Sequence, residues 1–480
     1  MSRKIIIEPV TRLEGHGKVT IHLDDKGNVA QARLHATQVR GFEKFCEGRL
    51  FWEMPAITSR ICGICPVSHH LASAKAGDAL LGVELTPTAK MLRQLMHMAQ
   101  YLQSHSLHFF HLASPDLLFG MDADPARRNI MGLIAEKPEL AQKGVRLRAF
   151  GQKILETLGD KKVHPNAAIP GGMNKALSPE KRAEFLGQID GMIADVQLAI
   201  DLIKGYYDQH VEECASFANF PSSYLGLVAE NGNLELYDGK LRLKDNKGAI
   251  LEDKFAPEDY LSIIEEIVED WSYLKFPYYK KMGYPAGIYR VGPLARLNVA
   301  DGIATPLANK EFKNFKRLSK TGVVQGSLYY HYARLIEALY AAEMIKSLLE
   351  DDLICGKEIW VNSAKLNEEA VGVVEAPRGT LFHHYWIDAS GKMRKVNLIV
   401  ATGHNNLALN RAVYEVAKEF IKGGKVTEGI LNRVEVAIRC YDPCLSCAAH
   451  ALGQMPLEIS IYDSDGNIYQ RLSSSYQAER

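Results

Sequence analysis

Two Cys-x-x-Cys pairs lie near opposite ends of this 480-residue sequence. Cys62 and Cys65 form the first pair, and Cys444 and Cys447 form the second. Two thiols three residues apart can bind the same metal ion, and thiolates favour zinc, iron–sulfur clusters, copper(I) and nickel over hard cations. The spacing alone therefore predicts a four-thiolate metal site, and it leaves a structural zinc site open beside a catalytic one.

The surroundings of the two pairs favour the catalytic alternative. Structural zinc pairs usually lie within tens of residues of each other and hold a small domain together, whereas nearly the whole chain separates these two pairs. Ionisable side chains also flank the cysteines, and such groups can carry protons to or from a metal-bound reactant. These flanking residues are Arg60, His69, His70, Asp442 and His450.

Ordered motifs around the cysteines resemble the signature segments of nickel–iron hydrogenase large subunits. They follow the order found in that family, and the resemblance extends from near residue 5 to the C-terminus. It implies the fold of that family and the reversible heterolytic cleavage of dihydrogen. The motifs are residues 12–16 (RLEGH), 40–43 (RGFE), 60–65 (RICGIC), 375–379 (EAPRG) and 442–450 (DPCLSCAAH).

The resemblance assigns the four cysteines to a Ni–Fe centre. It implies that Cys62 and Cys444 are terminal ligands of nickel, while Cys65 and Cys447 bridge nickel to iron. The iron of the family also carries carbon monoxide and cyanide ligands, which keep it low-spin and suited to cleaving dihydrogen. The substrates implied are dihydrogen and protons, and each released proton needs a route out of the protein.

The resemblance also names two catalytic side chains. Glu14 matches the first proton carrier of the family, although its sequence position alone is equally typical of a surface glutamate in a sheet turn. Arg378 matches the guanidinium that overhangs the open metal position. An arginine in a Pro-Arg-Gly turn could instead form a surface ion pair or cap a carboxylate.

Further matches predict a second metal ion and two hydrogen bonds to the centre. Glu43 and His450 match the ligands of a magnesium ion beside the active site, a role that suits a carboxylate and coordinated waters. His69 follows Cys65 by four residues and could donate a hydrogen bond to a bridging sulfur. Thr402 stands where the family places a hydrogen bond to a cyanide ligand.

Other suggestive residues are interpreted as structural. His105, His108 and His111 recur every three residues, but no family motif includes them, so we expect packing or contact with a partner. The cysteines outside the two pairs are isolated, and we expect them to be buried apolar filler. These are Cys46, Cys214, Cys355 and Cys440.

The electrons released from dihydrogen must leave through partner subunits. The isolated cysteines have no iron–sulfur spacing, and Gly15-His16-Gly17 lacks the third glycine of a dinucleotide-binding turn. We therefore expect no iron–sulfur cluster, flavin or nicotinamide site in this chain, and we expect a separate iron–sulfur small subunit. The segments around both cysteine pairs look most like the bidirectional NAD(P)-linked type, which implies flavin- and NAD(P)-binding diaphorase subunits.

Composition argues against several other partners. Lys plus Arg and Asp plus Glu both number 57, so the zero net charge gives no sign of nucleic-acid binding. No apolar run approaches the roughly 20 residues of a membrane span, and the first residues lack the apolar segment of a secretory signal. We therefore expect a cytoplasmic protein without a membrane span.

The elements that must position these residues are mostly helices. Alternating apolar and polar residues over 3–37 predict a small antiparallel sheet. Helices are predicted from Thr86-Pro87 onward, from Ser178-Pro179 to about Val211, and over 258–275, 327–350 and 406–421, with strand-like runs within 356–402. The fold class expected is α+β, mainly α: a long-helix bundle core with a small N-terminal antiparallel sheet and short C-terminal strands.

The domain organisation expected is one large-subunit domain over residues 1–450, followed by an extension over 451–480. Within the extension, LEISIY and NIYQRL flank a turn and predict a hairpin. In the family, a dedicated endopeptidase removes such a tail once nickel-insertion factors have loaded the metal. The resemblance therefore implies that the extension is removed on maturation.

Two competing functions remain at this point. The quinone-site subunit of a complex I-like assembly shares the fold but lacks the four cysteines, and a non-catalytic zinc protein would need only those cysteines. The motifs favour the catalytic subunit of a nickel–iron hydrogenase, with hydrogen:NAD(P)+ oxidoreduction as the activity of the complex.

Overall fold

Helices dominate the structure, a computed structural model that describes residues 4–363, 365–451, 457–462 and 468–474. About 49% of the chain is helical, which confirms the mainly α class. The α-helices are α1 (Phe42–Cys46), α2 (Met54–Thr58), α3 (Pro66–Leu81), α4 (Pro87–Leu107), α5 (Ser114–Phe119), α6 (Ile130–Glu136), α7 (Pro138–Gly159), α8 (Pro179–Gln209), α9 (Val211–Ser216), α10 (Tyr260–Ile263), α11 (Pro293–Val299), α12 (Pro306–Lys316), α13 (Tyr330–Glu350), α14 (Ala401–His404), α15 (Asn406–Phe420), α16 (Glu428–Cys440) and α17 (Leu445–Ala448).

Short strands form separate small sheets around the helices. The strands are β1 (Lys4–Ile7), β2 (Gly17–Leu23), β3 (Val29–Ala36), β4 (Ala168–Ile169), β5 (Gly172–Met173), β6 (Ser223–Val228), β7 (Lys240–Lys244), β8 (Ile250–Phe255), β9 (Ile264–Val268), β10 (Lys275–Tyr279), β11 (Tyr289–Arg290), β12 (Glu369–Ala376), β13 (Gly379–Ile387), β14 (Met393–Ile399), β15 (Leu457–Tyr462) and β16 (Ile468–Ser474). The predicted N-terminal sheet is confirmed as the antiparallel order β1-β2-β3, and the strands predicted within 356–402 form the antiparallel sheet β12-β13-β14.

The long helices pack on one another as the predicted bundle. Helix α4 packs against α7 and α13, and α8 packs against α13. Thr86 caps α4 by accepting a hydrogen bond from the Ala89 N–H, and Ser178 caps α8 in the same way. Both helices then begin with proline, whose fixed φ suits the first helical turn. Helix α4 continues directly into a π-helical stretch, His108–Ala113.

The predicted helix over 258–275 is wrong. Only a 3₁₀ turn over Pro257–Asp259 and α10 are helical there, and the chain then enters β9, which pairs antiparallel with β10. The run Ile263-Ile264-Glu265-Glu266-Ile267-Val268 is rich in β-branched residues, which suit a strand when a partner is available. The sheet with the order β11-β6-β7-β8 was also absent from the sequence-based prediction.

One hydrophobic core connects the two ends of the chain that carry the cysteines. This core includes residues from Ile7 to Ala449, with all four paired cysteines among them. The C-terminal hairpin predicted from the sequence is confirmed as the antiparallel pair β15-β16, whose turn lies outside the described residues. Among the described residues, no helix has the length and apolar character needed to cross a membrane.

Candidate metal centre

The two cysteine pairs, separated by most of the sequence, meet at one buried site. The four sulfur atoms all lie within 4.8 Å of one another. The Sγ atoms of Cys62 and Cys444 are 3.2 Å apart, those of Cys65 and Cys447 are 3.5 Å apart, and those of Cys444 and Cys447 are 2.9 Å apart. The side chains are at most 5% exposed, so the site is closed to bulk water.

The first pair is held by the turn that leads into α3. A 3₁₀ turn over Ser59–Ile61 ends at Cys62, which is extended, and Cys65 is the residue immediately before α3. The backbone N–H groups of Ile64 and Cys65 both donate to the Cys62 sulfur, at 3.2 and 3.5 Å. Such donors favour a thiolate, which is the form that binds metal.

The second pair is held by α17 and by a neighbouring threonine. Cys444 immediately precedes α17, and Cys447 lies within that helix. The Cys444 N–H donates to Thr402 Oγ1 at 2.9 Å. Thr402 thus lies beside the second pair, where the sequence places it, and among the described residues its own hydroxyl proton has no acceptor.

Glu14 is attached to the Cys444 turn by backbone and side chain. The Leu445 N–H donates to the Glu14 carbonyl at 3.1 Å, and the Ser446 N–H donates to Glu14 Oε2 at 3.1 Å. Gly15 has φ +86°, and a Cβ at this position would lie 2.9 Å from Leu445 Cβ. The close approach of the two segments therefore depends on glycine, and the Glu14 side chain is half-buried beside the turn of the second cysteine pair.

Arg378 lines the cavity beside the sulfurs and is paired with Asp442. Its Nη2 donates to Asp442 Oδ1 at 3.0 Å, and its Nη1 donates to Ser104 Oγ at 3.3 Å. Burial opposes charge on the guanidinium, yet Asp442 and the neighbouring cysteines raise the pKa of Arg378 above its ordinary value. At Asp442 the effect of burial is larger than the opposing effect of the Arg378 charge, so the pKa of this carboxyl is raised. A permanent positive charge therefore stands beside the four sulfurs.

His69 contacts the sulfur that the family resemblance assigns to a bridge. Its Nε2 lies 3.3 Å from Cys447 Sγ, and its Nδ1 lies 3.1 Å from Nε2 of His383. Burial lowers the pKa of His69 to about 4. The imidazole is therefore neutral near pH 7 and can donate a single hydrogen bond.

Glu43 and His450 form a second polar group beside the centre. Glu43 Oε1 accepts from the Leu398 N–H at 2.8 Å and lies 3.6 Å from His450 Nε2. His450 Nδ1 is 3.0 Å from the Cys447 carbonyl, so its proton is fixed on Nδ1 and the buried Nε2 has no hydrogen-bond partner among the described residues. A metal-binding histidine typically donates its other N–H in this way. The pair therefore fits a cation, while Lys275 lies 3.7 Å from the other Glu43 oxygen.

The site also contains a cavity next to the sulfurs. This cavity is small and is walled mainly by apolar residues and also by Arg378 and Thr402. The buried Nε of Arg378 has no partner among the described residues. This cavity therefore places hydrogen-bond donors beside the sulfurs that would hold a metal.

The charge on the cysteines is unequal without a metal. Hydrogen bonds from neighbouring thiols lower the pKa of Cys62, and the largest effect comes from Cys444, then Cys447 and Cys65. Burial raises the pKa of Cys444 and Cys447. A soft metal ion binds the thiolate form and displaces the protons. The group therefore needs a metal before all four sulfurs can be charged.

Residues interpreted as structural lie outside this group. His105 Nε2 is bonded to Glu337, and His108 Nε2 is bonded to the Arg439 carbonyl, so both are packing residues. His111 is only partly buried. The isolated cysteines are buried except Cys355, which is half-buried.

Several residues of the site were missed from the sequence. Lys275, Ser104, His383 and Tyr385 contact other residues of the site from distant places in the chain. His383 and Tyr385 carry one usable signal, because alternate residues of a strand face the same side. The other two carry none, because their contacts exist only in the folded chain.

Comparisons with known proteins agree with this geometry. The family model described as nickel-dependent hydrogenase matches residues 40–137 and 227–450, and a model described as HoxL-like matches residues 4–39. The chain therefore belongs to the nickel-dependent hydrogenase family. It is the catalytic subunit of a nickel–iron hydrogenase, and neither the quinone-site nor the zinc alternative is supported.

Individual relatives match this chain over nearly their whole length. The beta subunit of the NAD-reducing hydrogenase HoxS from Cupriavidus necator is 47% identical, over 98% of this chain and 99% of that protein. One subunit of the F420-non-reducing hydrogenase from Methanothermobacter marburgensis is 43% identical, over 98% of this chain and 100% of that protein. A crystal structure of an NAD+-reducing [NiFe]-hydrogenase in the H2-reduced state superposes with a TM-score of 0.91 and 48% identity, over 93% of this chain and 99% of that chain.

Proposed function

We propose that this chain catalyses reversible cleavage of dihydrogen at a Ni–Fe centre held by Cys62, Cys65, Cys444 and Cys447, with carbon monoxide and cyanide on the iron. The observation that carries the proposal is the buried group of four sulfurs within 4.8 Å of one another. Cys62 and Cys444 are the proposed terminal ligands of nickel, and Cys65 and Cys447 the proposed bridges. When bound, this centre supplies the heterolytic cleavage of dihydrogen.

Glu14 is the proposed first proton carrier. Its Oε2 is bonded to the Ser446 N–H between the two cysteines of the second pair, and its side chain is only partly buried. A carboxylate in this position can receive a proton on the buried side and release it toward water. General acid–base groups of this kind need to be within hydrogen-bond reach of the reacting centre.

Arg378 is proposed to overhang the open metal position, and Thr402 is proposed to donate a hydrogen bond to a cyanide ligand of the iron. Two observations on the described residues support these roles: the Nε of Arg378 has no hydrogen-bond partner, and the Thr402 hydroxyl accepts a hydrogen bond but has no acceptor for its own proton. Asp442 keeps the guanidinium in place by accepting from Nη2. Fixed donors of this kind stabilise charge without reorganisation during the reaction.

Glu43 and His450 are proposed to bind Mg2+. The oxygen and nitrogen atoms stand 3.6 Å apart with no proton between them, and hard cations favour carboxylate ligands completed by water. The ion would hold the end of the second cysteine pair, because His450 follows Cys447 by three residues.

The electrons are proposed to pass first to an iron–sulfur small subunit, then through flavin-binding diaphorase subunits to NAD(P). The 47% identity to one chain of an NAD-reducing hydrogenase supports the acceptor. Docking of the iron–sulfur subunit is proposed at Gly63, because this residue is exposed although the adjoining Cys62 is only 2% exposed. The surface at Gly63, next to Cys62, is therefore available to a partner. A cytoplasmic location is the setting proposed for this complex.

Residues 451–480 are proposed to be removed by a maturation endopeptidase after nickel insertion, leaving residues 1–450 as the working domain. The Arg40 and Glu43 N–H groups hold the Ala449 and His450 carbonyls, so the chain is anchored up to this point without the extension. His450 and Ala451 are each 3% exposed, so the bond must be opened before cleavage. Intact mass of the active, nickel-loaded protein tests this: a mass ending at His450 is expected, and an active full-length chain would contradict it.

Metal analysis and infrared spectroscopy test the proposed centre directly. Nickel and iron are expected in near-equal amounts, with infrared bands from iron-bound carbon monoxide and cyanide that do not depend on turnover. A Cys447→Ser variant should lose both metals, whereas Cys355→Ser should retain them because Cys355 lies outside the group. Zinc as the only metal, or nickel and iron without the diatomic bands, would overturn the proposed centre.

A further inference from the structure

We propose that His383 and Tyr385 are positioning residues, which orient His69 so that its Nε2–H donates a hydrogen bond to the Cys447 thiolate. The role rests on the proposed function, since Cys447 is taken to bind the metal centre and the infrared test uses carbon monoxide on its iron. Neither residue touches a cysteine. Both act through the hydrogen bonds of His69.

The carrying observation is an unbroken line of buried hydrogen-bonding groups that ends at the sulfur. Tyr385 Oη lies 2.9 Å from Ser73 Oγ and 2.7 Å from His383 Nδ1. His383 Nε2 lies 3.1 Å from His69 Nδ1, and His69 Nε2 lies 3.3 Å from Cys447 Sγ. Every side chain in the line is at most 3% exposed, so bulk water does not compete for these bonds.

The hydrogen bonds of this line all point in one direction when the Cys447 sulfur is a thiolate. A thiolate can only accept, so the proton of His69 must be on Nε2 and its Nδ1 must accept from His383. His383 then carries its proton on Nε2, and its Nδ1 accepts from the Tyr385 hydroxyl. The Tyr385 hydroxyl has one proton to donate, and His383 Nδ1 at 2.7 Å is a nearer acceptor than Ser73 Oγ at 2.9 Å. Each neutral imidazole carries one proton, so the direction of the hydrogen bond to Cys447 determines the direction of the hydrogen bond between Tyr385 and His383.

The fold holds this line between α3 and β13. Ser73 and His69 lie four residues apart on one face of α3, and His383 and Tyr385 lie two residues apart on one face of β13. Gly372 of β12 allows the close approach, because a Cβ there would lie 2.1 Å from the Ala72 carbonyl oxygen. The four side chains therefore face one another across a packed interface.

Donors that act in series strengthen one another. A hydroxyl that donates to His383 makes the His383 N–H a better donor, and the same effect passes through His69 to the sulfur. The hydrogen bond withdraws electron density from Cys447, and through it from the iron that this sulfur is proposed to bridge. Loss of donation upstream should therefore make the thiolate a stronger electron donor, which lowers the stretching frequency of carbon monoxide on that iron.

Infrared spectra of matched variants, recorded on the metal-loaded complex, test this effect. Tyr385→Phe removes the donor to His383 and should shift the carbon monoxide band to lower wavenumber. Tyr260→Phe is the matched control, because Tyr260 is equally buried and bonds His384, the next residue of the same strand, at 3.0 Å on the other face. This control should leave the band unmoved.

A second pair of variants separates donation from packing. The amide N–H of His383→Gln can still donate to His69 Nδ1, whereas the shorter side chain of His383→Asn cannot reach it. The band of His383→Gln should lie close to that of the native protein, and the band of His383→Asn should shift further than that of Tyr385→Phe. This pair also carries the test if Tyr385→Phe fails to retain its metals.

Nitrogen-15 spectra of labelled histidine provide a readout that needs no iron-bound ligand. Both His69 and His383 should carry their protons on Nε2 in the metal-loaded protein, and His69 protonated on Nδ1 would overturn the proposal. Equal band shifts in Tyr385→Phe and Tyr260→Phe, or equal shifts in the two His383 variants, would also overturn it. A native protein that lacks the carbon monoxide band would instead contradict the proposed centre, while the nitrogen spectra would still decide the proton positions.

Discussion

Few ionisable side chains lie close to the four sulfurs among the described residues. Arg378 and Asp442 hold each other in a buried ion pair, so neither is free to move a proton without breaking that pair. Both ring nitrogens of His69 already form hydrogen bonds, one with the Cys447 sulfur and one with His383. Glu14 differs from all of these, because its carboxylate is bound only to a backbone N–H among the described residues and extends to a partly exposed surface.

Glu14→Gln should therefore slow proton transfer while leaving the site intact. The glutamine oxygen can still accept from the Ser446 N–H, but an amide cannot release a proton. We expect hydrogen–deuterium exchange and hydrogen oxidation to fall on the order of 10²–10⁴-fold, the usual contribution of a general acid–base group. Isotope exchange by mass spectrometry measures this, alongside nickel and iron content, which should not change.

The control for this variant is Glu8→Gln. Glu8 lies in the same N-terminal segment, is half exposed and pairs with Lys18 at the surface. Its replacement should leave both rates unchanged. Native rates of isotope exchange in Glu14→Gln would remove Glu14 from the proton route.

Secondary structure was predictable from the sequence where the signal is local. Thr86-Pro87 and Ser178-Pro179 mark the starts of α4 and α8 because capping and proline act within one turn. The helix expected over 258–275 was wrong because β9 gains its stability from pairing with β10, which a local pattern does not contain. The cysteines and Glu14 were found through motifs, whereas Lys275 was not, because it reaches Glu43 only after the chain folds.

The Glu14 segment approaches the Cys444 turn closely at Gly15. Gly15→Ala places a Cβ 2.9 Å from Leu445 Cβ and 3.0 Å from the Ser446 nitrogen, at a φ of +86° that alanine rarely adopts. We expect a loss of about 1–3 kcal/mol in the free energy of unfolding, typical of overpacking. Nickel occupancy should fall with it, as measured by metal analysis and denaturant unfolding.

Gly48→Ala separates backbone strain from the clash. Gly48 has a similar φ of +79°, but a Cβ there would meet nothing within 4 Å. This variant should show the conformational cost without loss of nickel. Equal nickel occupancy in the two variants would show that the close approach at Gly15 does not hold the site.

At the scale of the whole molecule, neutral histidines are buried throughout the core. Burial lowers the pKa of His70 and His105 to about 4 and that of His97 and His404 to about 3. In the unfolded chain these groups titrate near 6.5. Between these values the unfolded state binds more protons than the folded state, so acid favours unfolding.

The free energy of unfolding should therefore fall as the pH drops from about 6.5 towards 4. Each such histidine contributes up to about 1.4 kcal/mol per pH unit within that window. Denaturant unfolding at pH 7 and pH 5 measures the slope. His97→Gln should reduce it, because an amide can still donate to the Leu236 carbonyl, which His97 Nε2 meets at 3.0 Å, but does not titrate. An unchanged slope would show that His97 does not supply this pH dependence.

A variant at Gly63 can distinguish electron transfer to a partner subunit from the cleavage of dihydrogen. The four sulfurs are buried, and Gly63 is the exposed residue that directly adjoins one of them in sequence. A Cβ at Gly63 would meet nothing within 4 Å and the φ is not in the left-handed region, so this chain itself can accept a larger side chain there. A partner seated on this surface could not.

Gly63→Trp should thus leave isotope exchange near native, while hydrogen-dependent reduction of the physiological acceptor is lost together with co-purification of the iron–sulfur subunit. Gly187→Trp, at an exposed position of α8 with equally open surroundings, should retain both activities. Native acceptor reduction in Gly63→Trp would place the electron exit on a different face.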